Sequence, residues 1–228
     1  MSSTEHWPVD KIASNLARAP QGRRCVLLTT GALNPVHLGH VAMFDRARDT
    51  LESEYGFAVV GGFLSPSHDA YLSGKYGDPR KFFSAAKRLA MCSAATQAHS
   101  ILGVAAWESS APGHWPDFPE VTAMLERVLD ERFPGEGIDI IYLCGQDHFR
   151  HAARAGLAGV AVVSRAGRSE TTDAARNIFA VPTGSDDPLS HLSSTRVREA
   201  LARNDIPTLQ SWLHPDVLAM LLGWRQRT

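Results

Sequence analysis

Two histidines three residues apart stand in the segment 31–44, GALNPVHLGHVAMF, directly after the apolar run 25–30. A helix beginning near Leu38 would place His37 and His40 at its first turn, with apolar residues along one side. The first amide groups of a helix have no partner within the helix, so they favour an anion, and imidazoles beside them can donate to it. The segment therefore predicts a site for an anion.

A second segment of this kind lies near the other end of the sequence, at 192–198, LSSTRVR. Ser193 or Ser194 can cap a helix there, which leaves hydroxyl groups and free backbone amides facing outward. Ser194 and Thr195 stand four and three residues before Arg198, so one helix face offers two hydroxyls and a guanidinium. Such a face suits a polyphosphate, which binds several donors and a delocalised cation.

The elements that must position these motifs alternate between apolar strands and helices. The predicted strands cover 25–30, 58–64, 101–106, 138–144, 160–164 and 178–181. The predicted helices cover 38–54, 84–97, 119–132, a weak piece from 148, 194–202 and 215–223. The strands lack polar alternation, as expected when both faces are buried. We therefore predict a Rossmann-like, doubly wound α/β fold with a mainly parallel sheet, helices on both faces and a helical C-terminal part.

The length of 228 residues favours one domain over the whole chain, 1–228. Within it, 1–22 is predicted to be a helical appendage with an amphipathic helix at 4–17, and 189–228 a helical C-terminal part. Two long segments, 65–81 and 165–176, contain Gly, Ser and charged residues, and we predict mobile lids over a site there.

The composition sets limits on partners and location. The 23 basic and 24 acidic side chains give a net charge of -1, which indicates neither a nucleic-acid partner nor a membrane surface. Cys25, Cys92 and Cys144 are odd in number and lie in apolar segments, which favours reduced thiols. With no secretory leader and no apolar run near the ~20 residues of a membrane span, a soluble cytoplasmic protein is expected.

Polar motifs follow four of the predicted strands. They lie at 31–40, 65–71, 107–109 and 145–147. In open parallel sheets, ligands bind beyond the carboxyl ends of the strands, where the strand order reverses. We therefore expect these motifs to meet at one edge of the sheet.

Taken in order, these motifs resemble the nicotinamide mononucleotide adenylyltransferases of the nucleotidylyltransferase superfamily, in particular the form common in eukaryotes. The resemblance covers about 26–200 and rests on HLGH (37–40), GGFLSPSHDAY (61–71), RLAM (88–91), WES (107–109), LCGQD (143–147) and SSTRVR (193–198). It implies transfer of AMP from ATP to nicotinamide mononucleotide, or to nicotinic acid mononucleotide, with release of pyrophosphate. The product would be NAD or its acid analogue.

The resemblance also implies roles for individual residues. The catalytic residues would be His37, His40 and Arg198. ATP would be bound by Gly31, Ala32, Leu33, Gly145, Asp147, Ser194 and Thr195. The acceptor would be bound by Trp107, which stacks on the pyridine ring, together with Asp69 and Lys75. Mg²⁺ would be carried mainly by the phosphates of ATP, with no metal site built from protein residues.

The chain departs from the family pattern in three ways. His37 is retained as in bacterial members, whereas eukaryotic relatives usually replace it. The family tends to have a second tryptophan in the region that here reads AGLAG (155–159), where Phe149 is the nearest substitute. The lysine that closely follows Asp-x-Tyr in the family is displaced, with Lys75 the nearest candidate.

Several alternatives therefore stay open. The acceptor could be another phosphorylated compound, such as phosphopantetheine or an unusual pyridine nucleotide, or the chain could be a non-catalytic nucleotide sensor. A class I aminoacyl-tRNA synthetase fragment is disfavoured, because no Lys-Met-Ser-Lys-Ser stretch is present. Homo-oligomers are common in the family. Trp115, Trp212 and Trp224 are interpreted as packing or surface residues.

Overall fold

A computed structural model describes residues 3–19, 22–164, 173, 176–184 and 186–225. Within these residues, six parallel strands form one sheet in the order β3-β2-β1-β4-β5-β6. The strands are β1 (Arg23–Gly31), β2 (Phe57–Pro66), β3 (Leu102–Val104), β4 (Asp139–Gly145), β5 (Val160–Val163) and β6 (Ile178–Val181). The strand order reverses between β1 and β4, which is where a doubly wound sheet opens a ligand crevice.

Helices connect the strands and follow the last one. They are α1 (Asp10–Leu16), α2 (Leu38–Tyr55), α3 (Asp69–Tyr76), α4 (Ala85–Thr96), α5 (Trp107–Ser110), α6 (Phe118–Arg132), α7 (Gln146–Ala152), α8 (Ser194–Ala202), α9 (Ile206–Trp212) and α10 (Pro215–Arg225). Short 3-10 helices occupy Ser3–His6 and Pro79–Lys81. None of the helices in the described part of the chain is long and apolar enough to cross a bilayer.

The sheet separates two hydrophobic cores, as the alternation of side chains along β1 requires. Cys25 and Leu27 point to the first core, which α2, α4, α8, α9 and α10 cover. Val26 and Leu28 point to the second core, which α1, α6 and α7 cover. The predicted Rossmann-like α/β fold with helices on both faces is thus confirmed.

The N-terminal segment packs tightly on the second face of the sheet. Ile12 of α1 is buried against Gly61 of β2, where an added Cβ would stand only 2.6 Å from Cγ1 of Ile12. Trp7 meets Phe63 edge to face, with ring centroids 5.1 Å apart. The helix predicted over 4–17 is instead interrupted before Asp10, so that α1 begins only there.

Lys11 fixes this segment to the end of α4 and the edge of the sheet. Its Nζ donates to the carbonyl oxygens of Thr96 at 3.0 Å, Gln97 at 3.4 Å, His99 at 2.7 Å and Leu102 at 2.7 Å. The carbonyls at the end of a helix carry partial negative charge and have no partner within the helix. The ammonium of Lys11 therefore satisfies the C-terminal end of α4.

Two connections were predicted to be mobile lids, and the structure describes one of them. The segment 65–81, predicted as a mobile lid, contains α3 and a 3-10 helix, and Leu72 anchors α3 because its side chain is buried. Gly77, at φ 68°, ends α3 in the left-handed conformation that glycine adopts readily. The other predicted lid, 165–176, lies almost entirely outside the described residues.

Candidate functional site

A cavity of about 460 Å³ opens at the carboxyl ends of β1 and β4, where the strand order reverses. We call it the switch-point cavity. Its described lining consists of Thr29, Thr30, His37, Gly39, His40, Met43, Arg46, Lys75, Tyr142, Cys144, Gly145, Gln146, Asp147, His148, Val163, Ser164, Thr183, Leu189, Ser190, Leu192, Ser193 and Ser194. It therefore collects residues from the first and the last sequence motif, which are more than 150 positions apart.

The two histidines stand together at the start of α2. His37 is the N-cap residue, with extended backbone angles, and His40 is in the first turn. The backbone amide of His37 donates to Nδ1 of His40 at 3.1 Å, and the two ring centroids are 3.7 Å apart. Gly39 allows this close arrangement, because an added Cβ would stand 3.1 Å from the His37 ring and 3.2 Å from the carbonyl oxygen of Leu189.

Both imidazoles are uncharged near neutral pH. Burial lowers the pKa of His40 to about 4, although its hydrogen bond with the backbone of His37 acts in the opposite direction. Burial, and then the neighbouring His40, lower the pKa of His37 to about 2. Since Nδ1 of His40 accepts a hydrogen bond, the proton of the neutral ring is on Nε2. His40 thus offers a neutral N–H donor to the cavity.

The start of α8 forms the opposite wall. Oγ of Ser193 accepts from the backbone amide of Arg196 at 3.3 Å, so Ser193 is the capping residue that the sequence left undecided between two serines. The hydroxyl of Ser194 donates to the carbonyl oxygen of Pro35 at 2.9 Å, which joins α8 to the turn after β1. Two helix N-termini, those of α2 and α8, therefore meet at one cavity, and both favour an anion.

The side chain of Arg88 links the loops that follow β1 and β2. Its side chain is fully buried and donates to the carbonyl oxygens of Ala32 at 3.1 Å, Ser67 at 2.6 Å and Phe83 at 2.9 Å. It also donates to Oδ1 of Asp69 at 2.7 Å. The second carboxylate oxygen of Asp69 accepts from the amide of Ala85 at 2.9 Å. Both oxygens of Asp69 therefore have partners within the scaffold.

Glu108 is a buried carboxyl group next to this scaffold. Its Oε2 accepts from the hydroxyl of Ser65 at 2.6 Å. Burial raises its pKa to about 7, while hydrogen bonds from Ser65 and Ser67 and the charge of Arg88 act in the opposite direction. Trp107, directly before it, is half-buried and packs against the second core.

Arg198 lies on the far side of the turn from the switch-point cavity. Its Nη1 donates to the carbonyl oxygen of Asn34 at 2.7 Å, and its Nη2 donates to Oγ1 of Thr195 at 3.1 Å. The guanidinium carbon is 5.3 Å from the centre of the Tyr76 ring. The guanidinium is thus held between the turn after β1 and an aromatic ring of α3.

The structure brings together part of the predicted site. The residues that line the switch-point cavity are His37, His40, Lys75, Gly145, Asp147 and Ser194. Among the described residues, those outside its lining are Gly31, Ala32, Leu33, Asp69, Trp107, Thr195 and Arg198. Gly31, Ala32 and Leu33 belong to the end of β1 and the turn, and Leu33 is buried.

Sequence reasoning missed several lining residues. The hydroxyls of Thr30 and Tyr142 are 2.8 Å apart in a hydrogen bond at the floor of the cavity, and Arg46 forms an ion pair with Asp187 at its rim. His148 packs edge to face on Phe118, with ring centroids 4.8 Å apart. Thr30 could have been predicted, because it is a polar residue at the end of the predicted strand 25–30. Tyr142 could not, because it lies within an apolar strand.

The described lining of the cavity has few carboxylates of the kind that bind metal ions. Within the described residues there is no cluster of three or more His, Cys, Asp or Glu side chains arranged to hold a metal. Asp147 is the one carboxylate among the described lining residues. Mg²⁺ keeps several waters and is commonly held by one or two carboxylates together with substrate phosphates.

Comparison with known proteins adds independent findings. The family model described as cytidylyltransferase-like matches residues 28–200. A protein of Arabidopsis thaliana named nicotinamide/nicotinic acid mononucleotide adenylyltransferase is 33% identical over 146 residues, which are 61% of this chain and 56% of that protein. A protein of the same name from Oryza sativa subsp. japonica is 32% identical over 147 residues, 61% of this chain and 54% of its own length. The chain spans about half the length of these curated relatives.

Solved structures share the fold. Nicotinic acid mononucleotide adenylyltransferase of Plasmodium falciparum, complexed with APC, superimposes with a TM-score of 0.63 at 12% identity, covering 89% of this chain and 96% of that one. The same enzyme complexed with NaAD gives a TM-score of 0.61 at 13% identity, with the same coverage of both chains. At such identity, this likeness concerns the fold alone.

Proposed function

Because the chain belongs to the cytidylyltransferase-like family, we propose that it transfers the adenylyl group of ATP to nicotinamide mononucleotide or nicotinic acid mononucleotide. The products are NAD, or its acid analogue, and pyrophosphate. The observation that carries the proposal is the meeting of the α2 and α8 N-termini at the switch-point cavity, with the neutral His40 between them. The names of the Arabidopsis and rice relatives support the choice of acceptor.

The chemistry needs alignment and charge stabilisation rather than a protein nucleophile. An oxygen of the 5′-phosphate of the mononucleotide forms a bond to the α-phosphorus of ATP, and the bond from that phosphorus to the bridging β-phosphate oxygen breaks. The bonding electrons leave with pyrophosphate. The attacking group is already an anion, so no general base is required, and the protein supplies position and electrostatics.

His40 is proposed to donate from Nε2 to an oxygen of the α-phosphate. Its uncharged ring forms this hydrogen bond without being a proton source at neutral pH, since its pKa is about 4. His37 is proposed to orient the His40 ring, because the backbone amide of His37 donates to Nδ1 of His40 at 3.1 Å. Preorganised donors of this kind are most effective where charge develops in the transition state.

The N-terminus of α8 is proposed to receive the β- and γ-phosphates. Ser194 lines the cavity there, and Thr195 and Arg198 follow on the same helix. Arg198 would have to turn from Asn34 toward the phosphates to contribute its charge. Mg²⁺ is proposed to arrive with ATP, where it would balance the charge of the phosphates and be held largely by them and by water.

The nucleoside parts of the substrates are proposed to meet the remaining predicted residues. Gly145 and Asp147 contact ribose, and the backbone of Gly31, Ala32 and Leu33 lies along the nucleotide. Trp107 stacks on the pyridine ring. Asp69 and Lys75 complete the acceptor site, Asp69 through its fixed position at Arg88. Cys25, Cys92 and Cys144 are buried and form no disulfide, which supports a reducing compartment such as the cytoplasm.

A different phosphorylated acceptor is the second candidate. In the family pattern, a second aromatic residue faces the pyridine ring, but no aromatic stands at 155–159. Phe149 packs against the second core and is not among the described lining residues of the cavity. An acceptor without a pyridine ring would need no such partner.

The experiment that tests the proposal is release of pyrophosphate from Mg-ATP, with each of the two mononucleotides supplied separately and the product identified by mass. Formation of NAD or its acid analogue supports the proposal and defines the acceptor preference. If the folded protein binds ATP and releases no pyrophosphate with either acceptor, the proposed function is wrong. Pyrophosphate release only with another phosphorylated acceptor, such as phosphopantetheine, would establish the second candidate.

A further inference from the structure

A second concave site lies behind the turn after β1, between the α3 region, α4, α8 and α10. It has a volume of about 460 Å³ and shares no described lining residue with the switch-point cavity. Its lining consists of Tyr76, Arg80, Lys81, Phe82, Phe83, Lys87, Arg198, Leu201, Ala202, Leu221, Trp224 and Arg225. We call this site the cationic groove.

The groove concentrates positive charge. Five of its described lining residues are basic and none is acidic, although the whole chain has a net charge of -1. Of these five residues, Arg80 is paired with Asp78. Across the described residues, neither Lys81 nor Lys87 forms an ion pair. The charges of Lys81 and Lys87 are therefore not balanced by an ion pair with a described residue, and this part of the groove favours an anion.

The basic groups of the groove are combined with aromatic faces. Nζ of Lys87 is 5.0 Å from the ring centre of Trp224, and the Phe83 ring centroid is 6.1 Å from that of Trp224. Arg198 lies over Tyr76 at 5.3 Å. Aromatic faces beside cations bind planar rings by stacking and anions by charge, which is how proteins hold nucleotides without reading the base.

We propose that the cationic groove binds a nucleotide at a site separate from the switch-point cavity. Its base stacks on Trp224 and Phe83, and its phosphates meet Lys87, Lys81 and Arg198. The volume of about 460 Å³ falls in the range of roughly 300–1,000 Å³ typical of small-molecule sites. Binding in the groove does not depend on the proposed adenylyl transfer, whereas its effect on the KM for ATP rests on that proposed function.

Asn34 joins the groove to the turn after β1. Its fully buried side chain donates to the carbonyl oxygen of Lys81 at 3.1 Å and accepts from the amide of Phe83 at 2.9 Å. Its own carbonyl oxygen accepts from Arg198 at 2.7 Å. A phosphate in the groove would compete with Asn34 for Arg198, which the proposed function assigns to ATP. Occupancy of the groove therefore raises the KM for ATP.

The test is calorimetric titration of the full chain with ADP, with Lys87→Glu as the variant. Lys87 is half-buried on α4 and is not a residue of the proposed catalytic site. We expect Lys87→Glu to remove one ADP-binding event relative to the wild type, or to weaken it by at least about tenfold. Arg127→Glu is the matched control, because it reverses an exposed charge on α6, across the sheet, and should leave all binding events unchanged.

Two further variants complete the test. Lys87→Gln replaces Lys87→Glu if the charge reversal disturbs folding. Trp224→Leu should weaken the binding of ADP more than the binding of inorganic pyrophosphate. Equal ADP binding by the wild type and the Lys87 variants would overturn the proposal, and so would equal losses of ADP and pyrophosphate in Trp224→Leu. Pyrophosphate release by Lys87→Glu at saturating substrates should match the wild type. Failure of the wild type to release pyrophosphate would contradict the adenylyl transfer while leaving the ADP comparison intact.

Discussion

His40 lines the switch-point cavity, and one backbone hydrogen bond to its Nδ1 leaves the proton of the neutral ring on Nε2. We expect His40→Ala to lower the turnover of adenylyl transfer about 100-fold or more, as for removal of a preorganised donor to the transition state. Turnover of the wild type between pH 6 and 8 should show no titration of this imidazole, because its pKa of about 4 lies below that window.

The control for this change is His114→Ala. His114 is exposed and contacts only the surface residue Glu120 among its described hydrogen-bond partners, so turnover should be retained. Near-normal turnover of a folded His40→Ala protein would remove the proposed phosphate contact.

Trp107 is half-buried at the start of α5 and has two competing interpretations, a ring-stacking residue and a core residue. If it stacks on the pyridine ring, Trp107→Ala should raise the KM for the mononucleotide roughly tenfold and leave the KM for ATP nearly unchanged. Steady-state kinetics with each substrate varied in turn measures both constants. An equal loss for both substrates would indicate that Trp107 only completes the second core.

Glu108 makes the stability of the protein depend on pH. Its carboxyl has a pKa of about 7 in the folded protein against 4.5 as the ordinary value, so the folded state retains a proton that the unfolded chain releases. Stability therefore falls as the pH rises from about 4.5 to 7. Glu108→Gln should remove this loss, which is on the order of 3 kcal/mol at pH 8.

Urea unfolding of the wild type and the Glu108→Gln variant over this pH range measures the difference. Glu126→Gln, which changes an exposed carboxyl of α6, is the matched control and should follow the wild type at every pH. A constant difference between the wild type and Glu108→Gln from pH 4.5 to 7 would contradict the raised pKa.

At the scale of elements, Arg88 joins α4 to the loops that follow β1 and β2. Arg88→Met leaves the carbonyl oxygens of Ala32, Ser67 and Phe83 without their donor, and we expect it to lower the free energy of unfolding by about 3 kcal/mol. Arg88→Lys keeps the positive charge but loses the planar guanidinium with its several donors. Its free energy of unfolding should therefore lie between those of the wild type and Arg88→Met.

The turn after β1 leads directly to His37, which lines the switch-point cavity. Arg88→Met should therefore also weaken ATP binding. Denaturant unfolding and titration with ATP check the two effects, with Arg127→Met on the exposed side of α6 as the control. A variant that unfolds at the wild-type urea concentration would show that the loops hold their shape without the guanidinium.

The strands and the longer helices could be predicted from the sequence because their patterns are local. The helix predicted at 194–202 and the strand at 178–181 have the predicted bounds, and α2 differs from its prediction by one residue. The α3 and α9 helices were missed, since each is short and buries one principal side chain, Leu72 or Leu209. Periodicity has little to act on in segments of seven or eight residues.

Some residues of the candidate site could likewise be predicted from local patterns, and others could not. His37, His40 and Ser194 could be predicted because a helix N-terminus fixes where residues in its first turn lie. The position of Arg198 could not, because its side chain is long and its partners, Asn34 and Tyr76, lie far away in the sequence. The cationic groove likewise assembles residues of three separate segments and has no signature in any one of them.

At the scale of the whole molecule, Lys11 couples the N-terminal segment to the far end of α4. Burial lowers the pKa of its amine, and its donors satisfy four carbonyl oxygens. Lys11→Met removes these donors and should lower the free energy of unfolding by roughly 2 kcal/mol. Lys81→Met, the same change at an exposed position, should alter it by no more than about 0.5 kcal/mol.

Thermal or urea unfolding distinguishes the two lysine variants. Equal stability of Lys11→Met and Lys81→Met would mean that the other contacts of the N-terminal segment, such as those of Trp7 and Ile12 with β2 and of Asn15 with Val60, hold it without Lys11.

The position of β1 at the centre of the sheet has a consequence for the order in which the chain is made. Its neighbours are β2, complete at Pro66, and β4, complete at Gly145. During synthesis, which proceeds from the N-terminus, β1 can therefore pair early only with β2. Its other edge can pair with β4 only after some eighty further residues have left the ribosome. Throughout that interval, the unpaired edge of β1 is open to pairing with other chains, so we expect a chaperone to protect it.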